Sequence, residues 1–385
     1  METLRIGMFS WESEHSVKVG GISPHVTRLA EMLAKDHEVH IFTRIGKMSD
    51  YDEINGVHYQ RCRNDNSGGI VYQMDRMCEA MSDRFYAVEK LFGRFDVLHG
   101  HDWHPVTALN ELKSRIGLPY VFTFHSTEWG RNGNHHSWSD ESREISHREW
   151  SGGYESSQII VTSDILKNEV EQLYQIPGHK LNIIPNGIVA GSMRRNVDAG
   201  KVKETWGIHP FAPMVLFVGR MAHQKGPDLL VEAVPHILNQ RWDTRFVFVG
   251  EGDLRSRCEY RTTDLGIGHA CSFLGYVDDE NLRSLLNSCD IFCMPSRNEP
   301  FGIAALEAWD AGKPVIGTKA VPLIDDFVNG IKAYLYPESI AWCINNVIDR
   351  PDILRQMGEH GRRRVEGIYR WEKIADMTVD VYKKV

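Results

Sequence analysis

The chain has 385 residues, 42% of them hydrophobic and 25% charged, with a formal net charge of −8. That length allows two or three domains with separate cores. The ordinary globular composition, with its acidic balance, argues against a nucleic-acid partner and against general attraction to anionic lipid. The cysteines Cys62, Cys78, Cys258, Cys271, Cys289, Cys293 and Cys343 are scattered, with no Cys-x-x-Cys pair, as expected of a reducing compartment. The first ten residues read as a strand rather than a signal peptide, and no apolar run is long enough to span a bilayer, so a cytoplasmic location is expected.

Leu4–Ser10 reads as a first buried strand, followed by a polar loop that ends in Gly20-Gly21. Val26, Leu29, Ala30 and Leu33 recur at helical spacing after Pro24, which suits a first helical turn. His37–Thr43 is a second strand, and strand, glycine loop, helix, strand opens a Rossmann-like unit. Further strands are predicted at Asp96–Trp103, Pro119–His125, Gln158–Ser163 and Leu181–Gly187. His99, His101 and His104 invite a metal reading, but no cysteine or acidic set completes a site, so no metal is expected. His125 stands at a strand's carboxyl end, where open α/β sheets bind ligands. The stretch from Ser126 to Glu149 is too long for a plain connection and reads as an acceptor loop or lid.

The segment 188–213 reads as a linker with one short helix. A second series of strands then follows: Met214–Arg220, Arg245–Gly250, Cys271–Val277, Cys289–Met294 and Lys313–Thr318. Helices are expected over Pro227–Leu238, Asn281–Ser288 and the final stretch from Asp352 to Val385. The segment Met294–Glu307 is the organising one. A buried strand gives way through Pro300 and Gly302 to the good helix formers Ala304–Trp309. The unpaired N–H groups and positive dipole end of such a helix suit a phosphate. Glu299, in the loop, and Glu307, about 7.5 Å along the helix if it begins at Gly302, flank that point and could grip the hydroxyl-rich ends of a nucleotide-sugar.

These residues resemble retaining glycosyltransferases of the GT-B fold, family 4. The resemblance rests on Val19-Gly-Gly21, His125, Pro185-Asn-Gly187, Phe217–Met221 with Gln224-Lys-Gly226, Val249–Gly252, Phe273-Leu-Gly275, and Glu299-Pro-Phe-Gly…Glu307, the family's Glu-x7-Glu motif. It covers nearly the whole chain. It implies an α/β architecture of two facing Rossmann-like domains with a cleft between them and a C-terminal helix returning to the first. The expected division is 1–190 for acceptor binding, 191–212 as linker, 213–360 for the nucleotide-sugar, and 361–385 as the returning helix.

The resemblance also implies roles. Arg220 and Lys225 would hold the donor diphosphate and stabilise the leaving group, which makes a metal or other cofactor unnecessary. Glu299 would face the donor sugar and Glu307 the ribose. Backbone N–H groups at Phe301, Gly302 and Ile303 would meet sugar hydroxyls and phosphate. His125 would sit by the anomeric centre, Gly21 would close on the phosphate, and Gly250, Tyr276 and Val277 would lie by the base. His125–Arg131 looks like a sequence of the glycogen synthase-like, α-glucan glucosyltransferase branch, which points to glucose and to Glu128, Trp129 and Arg131 as acceptor residues. Trp138 and Trp150 offer further faces for stacking a sugar, or for packing. The loop Thr318–Pro322 departs from the family, which usually has glycines there.

A UDP-, ADP- or GDP-linked sugar is the expected partner, with same-face attack as the mechanism. The alternatives are a mannosyl- or other hexosyltransferase with a small-molecule or lipid acceptor, a nucleotide-sugar epimerase, a phosphorylase, and a non-enzymatic binder with a decayed site. The intact set of Arg220, Lys225, Glu299 and Glu307 speaks against the last.

Overall fold

The computed structural model describes residues 3–385 as two compact units. The first takes in the chain up to Trp129, His135–Gly187 and Trp371–Val385; the second takes in Gly130–Asn134 and Ile188–Arg370.

In the first unit the elements run β1 (Arg5–Phe9), α1 (Ile22–Leu33), β2 (Glu38–Arg44), β3 (Tyr51–Ile54), β4 (Val57–Cys62), α2 (Ile70–Phe92), β5 (Val97–His101), α3 (Val106–Ile116), β6 (Tyr120–Phe124), α4 (Glu128–Arg131), α5 (Asp140–Glu155), β7 (Gln158–Val161), α6 (Asp164–Tyr174) and β8 (Leu181–Ile183). The sheet order is β3-β4-β2-β1-β5-β6-β7-β8, parallel except for the β3–β4 hairpin. Strand order reverses between β1 and β5, so the loops at their carboxyl ends part there and leave room for a ligand. One face is covered by α2, α3 and α5 over Phe9, Phe42, Phe85, Phe122 and Phe124; the other buries Ile6, Met8, Val39, Ile41 and Val121.

The second unit contains α7 (Ala199–Thr205), β9 (Met214–Val218), α8 (Pro227–Leu238), β10 (Arg245–Val249), α9 (Arg255–Asp264), β11 (Cys271–Gly275), α10 (Asp279–Ser288), β12 (Ile291–Met294), α11 (Ile303–Asp310), β13 (Val315–Thr318), β14 (Gly330–Ala333), α12 (Pro337–Asn345) and α13 (Pro351–Gly367). Its sheet, β11-β10-β9-β12-β13-β14, is wholly parallel and reverses order between β9 and β12. The chain closes with α14 (Trp371–Tyr382), which belongs to the first unit. There Tyr382 Oη lies 2.7 Å from His99 Nδ1, and Trp371 and Ile374 are buried beside α1 residues.

Several expectations need correction. The stretch expected as a linker is built into the second unit: Gly191 N–H and Met193 N–H donate to the buried Asp310 carboxylate at 2.7 and 2.8 Å, and Ile208 and Ala212 are core residues. Residues 361–370 also stay with the second unit, because α13 lies on Trp309, so that a Cβ at Gly361 would fall 2.1 Å from its indole. Half of the expected lid is the helix α5, capped by Ser139 accepting from Ser142 N–H.

Phe327 is 59% exposed and holds a left-handed φ of 59° in the turn before β14. A side chain there costs about 1–2 kcal/mol of backbone strain, and this one recovers little burial. Against the extra chain entropy of glycine, Phe327→Gly should still stabilise the protein by roughly 0.5–1 kcal/mol. A thermal unfolding scan should show a higher midpoint; an unchanged or lower one would mean the ring makes contacts worth as much as the strain.

Candidate functional site

Each sheet offers one ligand position by topology, and the predicted donor residues collect at that of the second unit. The loop after β9 carries Arg220 and Lys225, and the loop after β12 carries Glu299. They meet in an ion pair: Lys225 Nζ lies 2.8 and 3.0 Å from the two oxygens of Glu299, which is 5% exposed on its side chain. Ser296 Oγ donates to the same carboxylate at 3.1 Å, and Thr318 Oγ1 donates to Ser296 O at 2.5 Å. The loop that lacks the family's glycines therefore braces Glu299 through Ser296.

The β9 loop is held from several sides. Arg220 reaches Gln224 Oε1 at 3.1 Å, and Arg297 pairs with Asp228 while donating to His223 O at 2.9 Å. Gly226, with φ 66°, ends the loop and starts α8; a Cβ there would fall 2.1 Å from Pro295 O. Only glycine lets the two switch-point loops approach so closely.

Gly302 caps α11 with φ 103°, and the helix begins at Ile303. Its first N–H groups end the helix beside the Glu299 loop, as an anion site requires. Phe301 is a core side chain, edge-on to Tyr369, so only its backbone is available to a ligand. Ile303 and Glu307 are half-buried. Gly250 has φ 130°, and a Cβ would fall 2.0 Å from Gly219 O, which fixes the β10 end against the β9 end. Tyr276 is 80% exposed after β11, and Val277 rests against the core.

In the first unit His125 follows β6, and its N–H donates to Asp102 Oδ1 at 2.7 Å. Burial lowers the pKa of its imidazole to about 3, so the ring is neutral near pH 7. Gly20 and Gly21 are exposed with no left-handed φ; they leave backbone bare rather than making a turn possible. Glu12, 1% exposed, organises this loop: Val19 N–H and Gly20 N–H donate to its Oε2 at 2.6 and 2.7 Å. Burial raises the pKa of its carboxyl, and the two amides oppose that. Behind it runs a column of stacked groups: Arg44 lies 4.3 Å from the Trp11 ring, Trp11 4.3 Å from His104, and His104 4.3 Å from Trp103, with Arg148 at the far end.

The acceptor candidates divide. Glu128 accepts from Ser142 Oγ at 2.8 Å and its N–H donates to Glu149, so α5 positions it. Trp129 is half-buried, and Trp150 stacks on Tyr154 at 5.3 Å. Arg131 falls in the segment that groups with the second unit, where Asn298 donates to Asn134 at 2.9 Å. The sequence assigns no role to Glu12, Ser296 or Asp228, and Gln224 enters only as part of the Gln224-Lys-Gly226 motif. Asp228 pairs with Arg297, 69 residues away, and Glu12 with backbone amides, while Ser296 and Gln224 pair within four residues inside irregular loops, where spacing gives no signal. Glu307 has its place in the second turn of α11, as the motif required.

Comparison with known proteins agrees with this geometry. A family described as "Glycosyl transferases group 1" matches residues 200–364, and "Glycosyltransferase Family 4" matches residues 19–190. A protein of Methanocaldococcus jannaschii described as an uncharacterized glycosyltransferase is 35% identical over 99% of this chain and 98% of its own length. A glycogen synthase of Mycobacterium tuberculosis is 28% identical over 98% of this chain and 94% of its own. Among solved structures, the sucrose-phosphate synthase of Thermosynechococcus elongatus superposes with a TM-score of 0.82 at 21% identity, covering 99% of this chain and 98% of that one.

Proposed function

Because the chain belongs to the GT-B glycosyltransferases of family 4 and is a glycosyltransferase, we propose that it moves a glucosyl unit from a nucleoside diphosphate sugar to a carbohydrate acceptor, with retention at the anomeric carbon. The observation that carries this reading is the charge arrangement at the β9/β12 switch point. A cationic loop bearing Arg220 and Lys225 stands beside a buried carboxylate and the N-terminus of α11. Cations and helix N–H groups match a diphosphate leaving group, on which negative charge grows in the transition state. Glu299 offers an acceptor for sugar hydroxyls, and Glu307, in the second turn of α11, offers one for the ribose.

A neutral His125 suits a hydroxyl-rich, uncharged sugar. In same-face attack the departing phosphate oxygen takes the acceptor's proton, so a separate protein base is not required. No metal is needed where two cationic side chains and a helix terminus take up the charge. The relative named as a glycogen synthase supports an α-glucan acceptor, together with the His125–Arg131 motif.

Thermal shift with UDP, ADP, GDP and their glucose and mannose conjugates tests the donor. One diphosphate at a hundred times its Kd should stabilise the wild type by about 2.7 kcal/mol. It should leave Arg220→Ala and Lys225→Ala far less affected. If no nucleotide shifts the midpoint at millimolar concentration, the donor reading is wrong.

A further inference from the structure

His25, on the first turns of α1, His101, the last residue of β5, and His125, just after β6, converge at the first unit's switch point. One nitrogen from each ring lies within 4.8 Å of the other two. The His25 ring is 4.5 Å from His125 and 5.4 Å from His101, and His101 Nδ1 is 3.2 Å from His125 Nε2. His25 is 4% exposed and His101 0%; His25 Nδ1 has no partner of hydrogen-bond geometry, while His101 meets His125 through Nδ1 and leaves its other nitrogen, Nε2, outside the cluster.

The neighbouring His99 shows what a purely structural histidine looks like here. Both its nitrogens are satisfied at 2.7 Å, by Tyr382 Oη and Thr123 Oγ1. Leaving a buried imidazole nitrogen unpaired costs about 1–3 kcal/mol, so His25 Nδ1 marks a place that something else completes.

The geometry points to a cation site formed by His25, His101 and His125, selective for a borderline ion such as Zn2+, whose occupation withholds His125 from sugar transfer. The donor set is all nitrogen, which suits zinc or cobalt and not magnesium or manganese. Two nitrogens on one tetrahedral zinc, each at about 2.0–2.1 Å, lie roughly 3.3 Å apart, close to the His101–His125 separation. The third nitrogen, from His25, lies within 4.8 Å of both and would have to draw closer to join them. All three imidazoles are held neutral by burial, the form that ligates. His125 is the least buried of the three and gives the ion a way in, and three protein ligands leave a fourth position open. The other grouping of potential ligands, Glu38, His40 and His58, is unlike this one: Arg5 already engages Glu38 at 2.7 and 2.9 Å.

The inhibitory consequence rests on the transferase reading, but the binding does not. The test is calorimetric titration of the chelator-treated chain with Zn2+, with Co2+ as a spectroscopic substitute and Mg2+ as a control. The expected result is one Zn2+ per chain, a tetrahedral Co2+ visible spectrum and no Mg2+ binding. His125→Ala and His25→Ala, checked for fold by circular dichroism, should each weaken binding by at least about tenfold, and His58→Ala should not. Transfer should fall over the same Zn2+ range, recover on chelation, and leave nucleoside diphosphate binding unchanged. Absence of stoichiometric Zn2+ binding to the wild type, or equal binding by His125→Ala and His25→Ala, overturns the site. Zn2+ bound as expected by a chain that binds no nucleotide would uphold the site and defeat the transferase reading instead.

Discussion

Lys225→Ala should lower transfer by about a hundred- to a thousand-fold, the usual effect of removing one donor aimed at developing negative charge. It should also destabilise the second unit, because Glu299 is 5% exposed and its carboxylate would keep only the Ser296 hydroxyl among the partners described for it. Stranding one member of a fully buried pair costs about 3–5 kcal/mol; Lys225 is 27% exposed, so roughly 1–3 kcal/mol is expected here. The two effects separate in the double variant Lys225→Ala/Glu299→Gln. A neutral amide can still accept from Ser296 and no longer needs the ammonium, so stability should return while turnover does not. Measuring kcat and the unfolding midpoint for both variants decides the matter. A single variant that keeps more than a tenth of wild-type turnover would remove Lys225 from the leaving-group machinery.

Gly226→Ala should be severely damaging for a single added methyl. Its φ of 66° costs an alanine about 1–2 kcal/mol. The added carbon would sit 2.1 Å from Pro295 O, a backbone atom that cannot rotate away, which adds about 1–3 kcal/mol. A loss near 3 kcal/mol corresponds to roughly 6–12 °C for a unit of this size. Gly266→Ala is the matched control: φ is 70° there too, but nothing lies within 4 Å of the new carbon. It should pay the conformational cost alone. Equal midpoints for the two variants would show that the approach of the β9 and β12 loops is slack, and that Lys225 and Glu299 are not held by it.

The cluster at the β9/β12 switch point was readable because its residues are written in contiguous stretches. Gly-Arg-Met with Gln-Lys-Gly, and Glu-x7-Glu, each pack a loop and a helix start into one short run, so the family resemblance points to them together. The buried strands of both sheets were readable for a similar reason, since parallel strands covered on both faces are continuous apolar runs such as Met214–Val218 and Ile291–Met294.

What stayed hidden depends on tertiary partners. The β3–β4 hairpin is short and lies at a sheet edge, with half-exposed residues such as Asp52 and Glu53 that give no apolar signal. α5 carries Arg148 and Glu149 on its buried side, where a helix-period reading looks for apolar residues. Glu12 is a lone acid in a polar loop; its importance comes from two amides seven and eight residues on. His25 looked like one more helical position after Pro24, and only the register of β5 and β6 brings it to His101 and His125.

The stacked column from Arg44 to Arg148 bears on how this chain can be engineered. Each ring in it has a neighbour on both faces, so shrinking one removes two contacts at once, and substitutions along it will not add independently. A library aimed at the glycine loop should leave Trp11, Trp103 and His104 untouched. Diversity belongs at Val19, whose backbone is pinned by Glu12 while its side chain is 59% exposed. That position can take new chemistry without moving the scaffold that carries it.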